Sequence, residues 1–106
     1  MMRTTYDDFM KKYGIYPVKI SSCVFGWHLK DVKKVLNCLK ANRQIVLGGD
    51  ILDLQKNYTY DSWFYNYNHS KCLLENVNSS MDVALDYVTN YIRNNGEEYY
   101  VVLVLY

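Results

Sequence analysis

In Leu29-Lys30-Asp31-Val32-Lys33-Lys34-Val35-Leu36-Asn37-Cys38-Leu39-Lys40-Ala41-Asn42-Arg43-Gln44-Ile45-Val46-Leu47-Gly48-Gly49 the apolar residues change their spacing, and that change decides the fold class. Leu29, Val32, Val35, Leu36 and Leu39 recur at helical spacing while Lys30, Lys33, Lys34 and Lys40 fall largely elsewhere, so residues 29–42 read as an amphipathic helix. Gln44-Ile45-Val46-Leu47 is then short, apolar and β-branched. It reads as a strand that stops at Gly48-Gly49, where a bulge, a turn or a close backbone approach is expected.

Downstream, Ile51, Leu52 and Leu54 alternate with Asp50, Asp53 and Gln55 as far as Lys56-Asn57, and a return arm through Tyr58, Tyr60 and Phe64 completes a hairpin. Residues 66–78 are rich in Asn without clear periodicity and read as a loop. A second helix is expected from an N-cap at Ser79, with Asp82 three residues on, a buried stripe of Met81, Ala84, Leu85, Val88 and Ile92, and a stop at Asn95-Gly96. The uninterrupted apolar run Tyr99-Tyr100-Val101-Val102-Leu103-Val104-Leu105 predicts a central strand buried on both faces. Upstream, Val18, Ile20, Ser22 and Val24 alternate with Lys19, Ser21, Cys23 and Phe25 as one strand. Tyr6, Phe9, Met10 and Tyr13 mark a short helix over Thr5–Tyr13, ended by Gly14. The expected fold is α+β: one domain over residues 1–106, with a mixed or antiparallel sheet of about four to five strands, two main helices and a short N-terminal helix.

The chain has 106 residues, 50% of them hydrophobic and 22% charged, with a net charge of +1, which supports a single core and excludes a disordered composition. There is no apolar leader and no run long enough for a membrane span, so the expected location is cytoplasmic with no membrane partner. Cys23, Cys38 and Cys72, odd in number and without a CxxC pair, fit reduced thiols.

No motif announces catalysis. His28 and His69 have no acid or Cys at ligand spacing, and no nucleophile elbow or glycine-rich phosphate loop is present, so no catalytic residue, metal or cofactor is expected. Asp50 and Asp53, three apart on an extended chain, would point to opposite faces and cannot pair as general acid and base; they read as turn and edge carboxylates.

Charge is unevenly distributed. Residues 1–49 hold nine Lys/Arg against three Asp/Glu, and residues 50–106 hold three against eight. In the acidic half Asp50, Asp53 and Asp61 interleave with Tyr58, Tyr60, Trp63, Phe64, Tyr65 and Tyr67, the aromatic types that interfaces favour as anchors. The competing reading has these rings covering a sheet face. The basic helix face of Lys30, Lys33, Lys34, Lys40 and Arg43 reads as a solvated surface; with no recognised nucleic-acid fold and an acidic second half, nucleic acid is not the expected partner.

Gly26-Trp27 before the first long helix, Ile45-Val46-Leu47-Gly48-Gly49-Asp50 after it, then Tyr60-Asp61-Ser62-Trp63, Ala84-Leu85-Asp86-Tyr87 and the hydrophobic last strand occur in that order. Over roughly residues 25 to 105 this pattern resembles the immunity protein family numbered 40, found beside polymorphic toxins in bacteria. The resemblance implies a small cytoplasmic protein, not an enzyme, that neutralises a cognate toxin C-terminal domain by covering its surface. Asp50, Asp53, Tyr58, Tyr60, Asp61, Trp63 and Tyr65 are then the candidate partner-binding residues, with a homodimer permitted by the tyrosine-rich edges. Against this stands a scaffold role for Gly48, Gly49, Asp50, Asp61 and Trp63. The alternative function is a small ligand- or nucleic-acid-binding regulatory protein.

Overall fold

The computed structural model describes residues 10–106. Residues 10–13 are helical and Gly14 follows at φ 64°, its N–H donating to Met10 O at 2.8 Å. The start of the expected N-terminal helix lies outside the described residues. Next come β1 (Val18–Ser21), β2 (Val24–His28), a 3-10 turn (Leu29–Asp31), α1 (Val32–Ala41), β3 (Val46–Leu52), β4 (Tyr58–Phe64), α2 (Leu73–Asn95) and β5 (Tyr100–Leu105). The five strands form one sheet in the order β1-β2-β5-β3-β4, antiparallel at every pairing. It follows that β2 and β3 run parallel with β5 inserted between them, and β4 and β5 run parallel with β3 between them. Each such pair is joined by one of the two long helices, the long connection that parallel strands require.

Leu29, Val32, Val35, Leu36 and Leu39 are all buried, as their spacing predicts, and they meet Trp27, Ile51, Trp63, Met81, Ala84, Val88 and Val101 in one core. The helices pack together, and α2 lies against β3 and β4. Alternation along β3, β4 and β5 puts Gly49, Ile51, Trp63 and Val101 on the helix-covered face and Asp50, Ser62, Phe64, Val102 and Val104 on the other.

Four expectations need correction. The single strand expected over 18–25 reverses at Ser22-Cys23 into the β1–β2 hairpin, because a two-residue turn of small side chains leaves the period-two pattern intact on both sides. The strand expected to stop at Gly48-Gly49 continues to Leu52. The close approach is real, however: a Cβ on Gly48 would strike the Trp63 backbone and one on Gly49 the Trp63 ring. The second helix begins at Leu73, not after Ser79. Cys72 is its N-cap, its N–H donating to Glu75 Oε1 at 3.1 Å, and the polar residues that hid the first turns are used internally. Asn76, fully buried, accepts from Tyr65 Oη at 2.6 Å and Asn68 N at 2.9 Å and donates to Asn68 O and Cys72 O; Ser80 accepts from Val46 N at 3.1 Å. Finally, β5 is central as expected but not buried on both faces: Val101 is fully covered while Val104 is 46% exposed.

Candidate functional site

The chemistry-bearing surface is built by an irregularity in β4. Asp50 pairs with Ser62 and Leu52 with Tyr58, so Ile51 alone on β3 faces three residues, 59–61, on β4. Thr59 holds this bulge together: its hydroxyl donates to Ile51 O at 2.8 Å and accepts from the Asp61 N–H at 3.1 Å. At the crest Tyr60 takes φ 71°, a left-handed conformation that a bulky side chain rarely adopts, and the residue is 93% exposed.

Beside it, Asp61 Oδ2 accepts from the Tyr91 hydroxyl at 2.8 Å, tying β4 to α2. Tyr87, one helical turn before Tyr91, stacks on both Trp63 (centroids 5.0 Å apart) and Tyr91 (5.9 Å), and Tyr99 meets Tyr91 edge-on at 5.3 Å. Burial, the hydrogen bond to Asp61 and the Asp61 charge together push the Tyr91 phenol well above its ordinary range; burial and then the same carboxylate push Tyr87 up as well. These phenols stay neutral at physiological pH. Over the row lies an open groove of about 360 Å³ walled by Trp63, Val83, Asp86, Tyr87, Asn90 and Tyr91. The rings pack against one another, Trp63 and Tyr91 each 8% exposed, and the Asp86 carboxylate stands in the groove wall. Among the described residues no group of His, Cys, Asp and Glu is placed to hold a metal ion, and no helix is long and apolar enough to cross a membrane.

The seven residues expected from sequence do not form one patch. Tyr60 and Asp61 sit together on the bulge, and Trp63, further along β4 opposite Gly49, is 8% exposed. Asp50 and Tyr58 belong to the opposite sheet face, the first half-buried and the second 48% exposed. Asp53 closes the β3–β4 turn, its Oδ1 accepting from Gln55 N and Asn57 N, both at 2.9 Å. Tyr65 is engaged with Asn76. Asp86, Tyr87, Asn90 and Tyr91 were not among the seven. The four-residue spacing of Tyr87 and Tyr91, which aligns two rings on one helix face, was the signal available.

The family model described as Immunity protein 40 matches residues 9–105, nearly the whole chain. No curated protein and no solved structure matches.

Proposed function

The chain belongs to the Immunity protein 40 family, and on that premise we propose that it binds and neutralises a cognate bacterial toxin domain in the cytoplasm by occluding the toxin's surface. Inhibition of this kind needs no turnover. It needs a patch complementary in shape and charge, with a few aromatic and charged anchors near its centre. The observation that carries the reading to a place on the molecule is Tyr60, held at positive φ and 93% exposed beside Asp61. Interfaces use tyrosine as a rigid, low-entropy anchor, and strain accumulates where function demands a conformation that folding does not.

In this reading Tyr60 and Asp61 contact the toxin directly and Trp63 supports them from the core side. Tyr58 and Asp50 contribute where the toxin wraps over the edge strand β4, and Asp53 and Tyr65 hold the turn and the segment before α2 in place. The partner presents a basic surface to the acidic half of the chain.

The test is co-expression. Cells making the toxin domain encoded beside this gene should survive when the chain is made with it, and the two should co-purify as a stoichiometric complex. Survival lost with Tyr60→Ala and Asp61→Ala, in variants that remain folded, places the contact. Cells killed equally with or without the chain would contradict the proposal.

A further inference from the structure

We propose that the sheet face turned away from the helices docks the toxin, and that the toxin segment it receives sets a lysine or arginine among apolar side chains. The inference deepens the toxin-binding reading above and rests on it. The run Tyr99–Leu105 has the composition of a strand buried on both faces, yet the helices cover only one. On the other face Phe64 is 73% and Val104 46% exposed. Both pair with Gly48, so across three adjacent strands they wall a slot about 10 Å wide whose floor carries no side chain. A face built for water carries polar and charged residues. Here the only charge at the paired outward positions of β3, β4 and β5 is Asp50, two residues along β3 from Gly48, between Ser62 and Val102. Asp50 is half-buried, and among the described residues its carboxylate has no hydrogen bond and no ion pair.

That carboxylate decides what can cover the face. Stripping its water without supplying a partner costs more than the surrounding apolar contacts return, so the occupant brings a cation to Asp50 and apolar side chains to the slot between Phe64 and Val104. The chain does not neutralise Asp50 itself with the nearest turn lysine: Lys56 Nζ donates to Lys19 O at 2.7 Å. A second copy is a poor occupant, because a two-fold contact presents the same outward residues, and the paired positions of β3, β4 and β5 hold no lysine or arginine. A nucleic acid would set phosphate against the acid. A basic, partly apolar segment of the toxin meets both demands.

The experiment uses the ¹⁵N-labelled full chain with a soluble paramagnetic probe, alone and in complex with the toxin domain encoded beside it. Phe64 and Val104 should be broadened in the free chain and protected in the complex. Protection already in the free chain would give the face to this chain itself or to a second copy and overturn the proposal. In binding titrations Phe64→Ser and Asp50→Asn should each weaken the complex by about tenfold or more, and added salt should weaken wild type more than Asp50→Asn. Asp50→Val separates binding from folding: it gives up no bond and suits a strand better, so the free chain should melt no lower than wild type while the complex weakens. A lower melting temperature for Asp50→Val would make Asp50 a folding residue and overturn its role here. A toxin that binds wild type, Phe64→Ser and Asp50→Asn alike removes this docking face and leaves neutralisation intact. A toxin that does not bind wild type removes the toxin-binding reading and this proposal with it.

Discussion

The Trp63 ring occupies the space that a side chain at Gly49 would need, its six-membered ring lying against the Gly49 Cα across the β3–β4 pairing. The two positions are therefore one packing unit: the glycine is there for the tryptophan. Gly49→Ala should cost about 3 kcal/mol, the upper part of the range for overpacking a core, because the nearest atoms belong to a rigid ring with Tyr87 stacked on it. Urea denaturation followed by tryptophan fluorescence checks this.

Removal of the ring itself is a different perturbation. Trp63→Ala leaves a void among Gly49, Tyr87 and the groove, and should lose about 3–5 kcal/mol of stability with a large drop in melting temperature. A variant that melts with the wild type would show that Trp63 serves only an exposed contact.

Tyr60 should behave in the opposite sense. Glycine accepts positive φ without the steric cost borne by an L side chain, and part of that relief is offset by its greater unfolded-state freedom, so Tyr60→Gly should raise stability by roughly 0.5–1 kcal/mol. The same change should weaken the toxin complex by about 2 kcal/mol or more if Tyr60 is an anchor. Thermal melting and a binding titration on one preparation separate the two effects. Loss of both, or of neither, contradicts the role given to the bulge.

Tyr91 predicts a pH dependence. Its folded-state phenol titrates above the ordinary value of 10.0, so the native state holds this proton more tightly than the unfolded chain does. The resulting contribution is fully present below about pH 10 and is lost as pH rises from there through the raised native value. Tyr91→Phe should cost about 1 kcal/mol at neutral pH through the lost bond to Asp61. The gap between variant and wild type should narrow above about pH 10, as read from urea midpoints at neutral and alkaline pH.

Much of the fold was legible because burial imposes a period. The α1 stripe, the β3–β4 hairpin, the Asn95-Gly96 stop and the central β5 all follow from apolar spacing and turn chemistry. The first turns of α2 were not legible, because Asn76 and Ser80 are buried polar residues satisfied by Tyr65, Asn68 and Val46, partners distant enough in sequence to leave no local pattern. The β1–β2 reversal was missed because a turn of two small residues preserves alternation. Within the candidate surface, composition singled out Tyr60, Asp61 and Trp63. It could not separate them from Asp50 and Tyr58, since the bulge that turns Tyr60 outward depends on Thr59 bridging Ile51 and Asp61. Tyr87 and Tyr91 join the surface only through the packing of α2 on β4.

The central claim is that this chain acts by covering a partner and not by transforming one. The most direct measurement is a titration of the purified toxin domain's activity with the purified chain at concentrations far above the dissociation constant. The account predicts a linear fall to full inhibition at equimolar chain, with activity recovered when the complex is dissociated. Complete inactivation by a small fraction of an equivalent, or activity unchanged by an excess, would contradict it.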